Sequence, residues 1–104
     1  MMSSSTYQLF RQAILGRKQI TCTYQQRHRE LCPHVLGHTN GQEKALTYQF
    51  AGESTSGLPP GGEWRCLLLA HVHDARMRDG PWHTGFRHTK AQVCVDVVDV
   101  DVNL

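Results

Sequence analysis

The sequence lacks any apolar run approaching the roughly 20 residues that a membrane-spanning helix needs. Its first ten residues, MMSSSTYQLF, also lack the apolar stretch of a secretory signal. We therefore expect a soluble protein of the cytoplasm with no membrane partner. At 104 residues the chain fits one domain, 1–104, with a single modest core.

Strong charge of either sign is missing as well. The formal net charge is +2, which is too small to predict a nucleic-acid partner from charge alone. Any electrostatic partner must therefore be met by a local patch of basic side chains.

The cysteines form no Cys-x-x-Cys pair. They are Cys22, Cys32, Cys66 and Cys94. Because thiols stay reduced inside cells, we expect mostly buried free thiols rather than a disulfide scaffold.

The N-terminal segment carries the signature of a helix over about 5–16. Ser5 and Gln8, three residues apart, form a capping box, and Gly16 suits the C-terminal end. The apolar residues of one helical face are Tyr7, Phe10, Ala13 and Ile14.

Two strands with alternating side chains follow. QITCTYQ places Ile20, Cys22 and Tyr24 on one side, and QQRH is the predicted turn. From residue 29 onward the alternation changes phase, so that apolar residues of one side occupy odd positions instead of even ones. Pro33 cannot donate a ladder hydrogen bond, so it predicts an edge strand or a bulge.

The dipeptide Asn40-Gly41 suits a hairpin turn that needs positive φ. The strand EKALTYQF after it has Leu46, Tyr48 and Phe50 as its inward set. The next segment, AGESTSGLPPGG, is too rich in glycine and proline to continue a sheet and predicts a loop.

The segment EWRCLLLAHVHDARMRDG is the most apolar. Its apolar residues occupy even positions as far as Val72 and odd positions at Ala75 and Met77. A bulge or sharp bend near His73-Asp74 would let this segment serve two strands of a barrel. The tail, VCVDVVDVDVNL, predicts an extended segment.

These elements predict a mainly β fold. A short N-terminal helix precedes a small barrel of about five strands over about 19–80, and an irregular loop and extended tail occupy 81–104.

The segment AILGRKQITCTYQQRHRELCPHVLG resembles the start of a WYL domain, a module of bacterial regulators. In that family a helix precedes a strand ending in tyrosine, followed by an arginine and then a proline. Tyr24, Arg29, Pro33 and Leu36 match this pattern, and the resemblance extends over roughly residues 9–80. The strand EKALTYQF does not reproduce the family's Trp-Tyr-Leu, and the helix-turn-helix domain that usually precedes the module is missing.

The resemblance implies an Sm-like, Src-homology-type five-stranded barrel. It also implies ligand sensing or nucleic-acid binding through a basic pocket, and not catalysis. Carried over where positions match, it gives Arg29 and Arg65 as anion contacts. The alternative is that both arginines lie on the surface without a ligand.

The stretch HRELCPHVLGH raises the question of a metal site. On one strand His28 and His38 would lie on the order of 33 Å apart, so they cannot share a metal. Cys32 with His34 and His71 with His73 are alternate-residue pairs, and two such pairs on adjacent strands would form a metal site or a metal-dependent hydrolase. The alternative is solvent-facing histidines on an edge strand. We predict no metal, no cofactor and no enzymatic activity.

The loop DGPWHTGFRHTK combines aromatic and cationic residues. Trp82 and Phe86 could stack on bases while Arg87, His88 and Lys90 meet phosphates. The alternative is that Trp82 plugs one end of the barrel.

Three functions stay open. The leading hypothesis is a bacterial ligand-binding module for nucleic acid or a nucleotide-like anion. The residues expected to bind it are Arg29, Arg65, Arg76, Arg78, Trp82 and Arg87. The second is a structural or interaction protein that forms homo-oligomers or docks on a larger partner through residues 93–104, unless the aspartates there only guard an exposed edge. The third is the metal-dependent hydrolase.

Overall fold

The computed structural model describes residues 3–53, 62–85 and 94–103. Within these ranges one helix and six strands confirm the mainly β prediction. The helix is α1 (Ser5–Gly16), and the strands are β1 (Gln19–Tyr24), β2 (Arg27–Thr39), β3 (Gln42–Gly52), β4 (Glu63–Leu68), β5 (Val72–Arg78) and β6 (Val97–Asp101). Across these ranges no helix has the length and apolar character to cross a membrane.

All strand pairs are antiparallel, and the sheet has the order β4-β3-β2-β1-β5. β1 pairs with the first part of β2, and β6 pairs with its last part. Among the described strands the sheet is not closed, so the barrel itself is not confirmed.

Helix α1 covers the predicted span, and its predicted apolar face is buried. The capping residue, however, is Ser4 and not Ser5. The Ser4 backbone is extended and its side chain accepts a hydrogen bond from the Tyr7 amide at 3.1 Å, while Ser5 is already helical. Arg17, in the left-handed region at φ 51°, ends the helix after Gly16.

The long strand β2 begins after a tight turn at Gln25 and Gln26, both with positive φ. Pro33 does not lie on an edge strand, because β2 pairs with β1, β3 and β6. The register shifts between Pro33 and Val35, which confirms the predicted bulge. Residues 31–37 are all buried, because apolar clusters cover both faces of the sheet along this part of β2. The third strand follows the Asn40-Gly41 turn as predicted.

The segment after residue 62 forms two strands joined by a short 3-10 turn, Leu69–His71. The predicted bulge is present, since Asp74 has φ 53° and the pairing with β1 shifts there, but it lies within β5 and does not divide the two strands, which are separated at Leu69–His71. The buried residues of the first of these strands are not the even-numbered ones. Leu67 and Leu69 are buried, whereas Cys66 is exposed. The predicted loop before this segment falls mainly on 54–61, outside the described residues.

Apolar residues form a cluster on each face of the sheet. The main cluster joins α1 to one face through residues such as Phe10, Ile20, Leu31 and Leu67. The smaller cluster on the other face contains Val35, Leu46, Cys94 and Val95, with Trp64 packed against it.

A disulfide joins Cys66 of β4 to Cys94, which precedes β6. The prediction of free thiols is therefore wrong for this pair, and it is right for Cys22 and Cys32, which are free and buried. The two bonded cysteines lie 28 positions apart, and the contact between β4 and the tail is not visible in local sequence patterns.

The tail is extended, as predicted, and β6 pairs with β2 of its own chain. The Tyr7 hydroxyl donates to the Asp99 carboxylate at 2.7 Å and so connects α1 to the tail.

Candidate functional site

A pocket of about 280 Å³ lies where the end of β1, the start of β2 and strand β4 meet. It contains two of the arginines that the sequence predicts as ligand contacts. The lining residues are Tyr24, Gln25, Arg29, Trp64, Arg65, Cys66 and Leu67.

Strand register brings Arg29 to the pocket. Arg29 is paired with Cys22 across β1 and β2, and paired residues project from the same face of a sheet. Cys22 belongs to the main core, so Arg29 faces inward at the edge of that core. Arg65 pairs with Thr47 of β3, which is also buried. The guanidinium groups of Arg29 and Arg65 therefore both lie on the inward face of the sheet, at the edge of the main core.

The Arg29 side chain is buried among neutral groups. The residue is only 3% exposed. Its three nitrogens donate to the Tyr24 carbonyl at 3.3 Å, the Gln49 side-chain oxygen at 3.1 Å and the Gln25 side-chain oxygen at 3.4 Å. The guanidinium also lies 5.4 Å from the centre of the Tyr24 ring. Within the described part of the chain, no carboxylate forms an ion pair with Arg29.

The electrostatics follow from this burial. Loss of hydration lowers the pKa of Arg29 from its usual value, and the nearby charge of Arg65 lowers it further. Arg65 differs, because it forms an ion pair with the Glu63 carboxylate at 2.8 Å. A buried cation without a counter-charge costs free energy, so an anion entering the pocket would offset a cost that already exists in the free protein.

Arg76 and Arg78 lie away from this pocket. Both are on β5, opposite Thr21 and Gln19 of β1, on the face turned away from the main core. Arg78 donates to Gln19 and to Glu30, which holds it against the sheet. Arg76 is exposed.

Trp82 is half-buried on the same outer face. Its ring centre is 4.8 Å from that of His34, which is itself buried. This packing favours the structural interpretation of Trp82. Arg87, with Phe86, His88 and Lys90 of the predicted loop, lies outside the described residues.

The structure does not bring the metal candidates together. Cys32 and His34 lie on β2, His73 on β5 and His71 in the turn before it, and β1 separates the two strands. Over residues 3–53, 62–85 and 94–103 no group of three or more metal-binding side chains is present. Burial also raises the pKa of the Cys32 thiol, which disfavours the thiolate that a nucleophile requires.

Two residues of the site escaped sequence reasoning. Gln49 alternates with the predicted inward set of Leu46, Tyr48 and Phe50, yet it is completely buried and contacts Arg29. Both faces of β3 are covered, so alternation in this strand could not identify the inner face. Gln25 belongs to the predicted turn QQRH. The only sequence feature that could have pointed to a role for Gln25 in the pocket is its position next to Tyr24, the tyrosine that matches the WYL pattern.

Comparison of the chain with protein-family models, with curated proteins and with solved structures found no significant match. The resemblance to WYL domains therefore rests on the residues that carry it and stays a prediction.

Proposed function

We propose that the chain is a WYL-like module of a bacterial cell that binds nucleic acid or a nucleotide-like anion in the pocket of Arg29 and Arg65. One observation carries the proposal. A buried guanidinium, surrounded by neutral partners, opens onto a pocket that holds a second arginine. Arginine presents planar pairs of donors that suit phosphate and carboxylate oxygens, so the ligand class is an anion.

We also propose that the sheet belongs to the Sm-like barrel type. The strand order supports this, because β4 and β5 are the two ends of the main sheet and are joined by a 3-10 turn of three residues. Such a short connection brings the two end strands near each other, as barrel closure requires.

The test is equilibrium binding of labelled single-stranded and double-stranded DNA and RNA at low and high salt. Wild-type binding should weaken steeply with salt as counterion release loses its advantage. The double variant Arg29→Met, Arg65→Gln should lose binding while keeping a cooperative unfolding transition.

Arg76→Gln is the matched control, since it removes an exposed arginine outside the pocket. An equal loss in this control would indicate a diffuse charge effect and contradict the pocket. Absence of binding to every nucleic acid would contradict the proposed ligand.

The cytoplasmic location is a further proposal, and the disulfide bears on it. Disulfides persist in oxidising compartments and are rare in the cytoplasm. Trapping the thiols of Cys66 and Cys94 in intact cells provides the test. Reduced thiols would agree with the cytoplasm, and a persistent disulfide would contradict it.

A second candidate function is self-association through β6. Two adjacent valines favour it, since Val97 is 66% and Val98 is 42% exposed. Sedimentation should then show a dimer in the wild type that the double variant Val97→Thr, Val98→Thr abolishes. A wild-type monomer at all concentrations would contradict this role.

A further inference from the structure

The two cations of the pocket differ in depth. Arg29 is nearly inaccessible, whereas the Arg65 side chain retains about a fifth of its exposure (22%) and is paired with Glu63. Among the residues that the structure describes, the charge that lacks a counter-ion is therefore the recessed one. An anion that compensates Arg29 must enter below the surface of the protein and cannot merely lie across it.

Of the three acceptors around Arg29, one is displaceable. The Tyr24 oxygen belongs to the backbone, and Gln49 is held by its own donations to the Ala51 and Glu53 carbonyls. The Gln25 oxygen lies at 3.4 Å, the longest of the three contacts, on an exposed turn residue. An entering anion would take the place of this oxygen at Arg29 Nη2.

Depth and a single replaceable acceptor restrict the shape of the anion. An internal phosphodiester carries a sugar on both sides, so pushing its phosphate below the surface would draw two chain segments into a pocket of about 280 Å³. A terminal phosphomonoester has a chain on one side only. It also carries a charge between about −1.5 and −2 near neutral pH and three acceptor oxygens.

Resting on the function proposed above, we propose that the pocket selects a terminal phosphomonoester, as found on a nucleotide or at the end of a strand, over an internal phosphodiester. Arg29 binds the phosphate oxygens after Gln25 swings out. Tyr24 and Trp64 line the same pocket and offer aromatic surface to the attached nucleoside. The Tyr24 hydroxyl accepts a hydrogen bond from the Leu68 amide, which holds that ring in place.

The experiment compares one short single-stranded DNA, labelled at its 3′ end, with and without a 5′ phosphate, by fluorescence anisotropy with wild-type protein. AMP and adenosine serve as unlabelled competitors. The phosphorylated strand should bind about tenfold more tightly, and AMP should compete where adenosine does not.

The critical variant is Gln25→Glu, which places a carboxylate at the acceptor position beside Arg29. Because residue 25 is exposed, the fold should be kept and the preference for the 5′ phosphate lost. Gln26→Glu is the matched control. It makes the same charge change in the same turn, also at positive φ, and Gln26 is not among the pocket-lining residues.

Three outcomes would overturn the inference. Equal, salt-sensitive binding of both strands would leave the proposed nucleic-acid function intact and remove the selection of strand ends. A preference that survives Gln25→Glu would place the end-binding site elsewhere. Absence of binding by either strand and by AMP would contradict the proposed function itself, and this inference would fail with it.

Discussion

Arg29 and Gln49 are joined by a buried hydrogen bond of 3.1 Å that runs from β2 to β3. Gln49 is completely buried, and its amide nitrogen donates to the Ala51 carbonyl at 3.2 Å and the Glu53 carbonyl at 2.9 Å. One neutral side chain therefore orients the guanidinium and also holds the end of β3. Gln25, on the other side of the same guanidinium, is exposed.

The change Gln49→Ala should lower the free energy of unfolding by about 2–4 kcal/mol, because it leaves buried polar groups without their partners and opens a cavity. Urea denaturation measures this change in the free energy of unfolding. Gln25→Ala, which removes the exposed partner of Arg29, should stay within about 0.5 kcal/mol of the wild type. Similar losses in the two variants would mean that Gln49 has no special structural role.

The surroundings of Arg29 show which features of the fold and of the site can be predicted from the sequence. Local patterns predicted α1, the Asn40-Gly41 hairpin and the bulge near Asp74, because capping, turn chemistry and side-chain alternation act over a few residues. The resemblance predicts Arg29 and Arg65 as anion contacts, and both line one pocket. Their neutral partner Gln49 was missed.

Other features depend on contacts between distant segments. The bulge at Pro33 shifts the alternation of β2, and distant segments cover both faces of the strand, so parity does not identify one buried face. The Cys66–Cys94 bond requires the tail to reach β4, which no local pattern encodes. From the sequence alone, Trp82 could either stack on bases or pack within the fold. Its contact with His34 joins segments that are distant in the sequence, so no local pattern predicts it.

The disulfide between Cys66 and Cys94 should stabilise the fold strongly. It closes a loop of 28 positions, for which chain entropy gives roughly 3–4 kcal/mol. We expect reductant to lower the melting temperature of the wild type. The double variant Cys66→Ala, Cys94→Ala should melt lower and should not respond to reductant.

A thiol titration of the unfolded protein provides an independent check on this bond. Without reductant only Cys22 and Cys32 should react, and after reduction all four cysteines should react. Four reactive thiols in oxidised, unfolded protein would show that the bond is absent.

Alkaline pH should weaken the fold through Cys22. Burial raises the pKa of this thiol to about 11, while the nearby Arg29 charge opposes the shift. The unfolded chain releases the proton near its ordinary pKa, and the folded chain retains it. The contribution of Cys22 is therefore complete below that ordinary value and is lost as the pH rises through about 11. Its size is on the order of 2 kcal/mol.

Urea titrations at successive pH values measure this loss, with return to neutral pH as the test of reversibility. Cys22→Ala should show a shallower fall of stability with pH than the wild type. Thr23→Ala, on the opposite side of β1, should keep the wild-type slope. If the stability of Cys22→Ala fell with rising pH as steeply as that of Thr23→Ala, another group would be responsible for the loss of stability at alkaline pH.

Gly37 controls the docking of β6 on β2. It pairs with Val98, and a Cβ atom added there would overlap the Val97 carbonyl oxygen and lie 2.6 Å from Val95 Cγ1. The backbone at Val97 cannot move aside as easily as a flexible side chain can. Gly37→Ala should therefore destabilise the protein by about 1–3 kcal/mol and displace the tail. Hydrogen exchange of the amides at 97–101 should become faster than in the wild type.

Gly16→Ala is the control for this change, because its added Cβ would meet only the Lys18 side chain, at 3.4 Å, in ordinary contact. Alanine is also the better helix former, so this variant should gain roughly 0.5–1 kcal/mol. Since Cys94 remains bonded to Cys66, displacement in Gly37→Ala should be confined to the residues beyond that bond. Unchanged protection at 97–101 would mean that β6 adapts to the added methyl group and that close approach at Gly37 does not fix the tail.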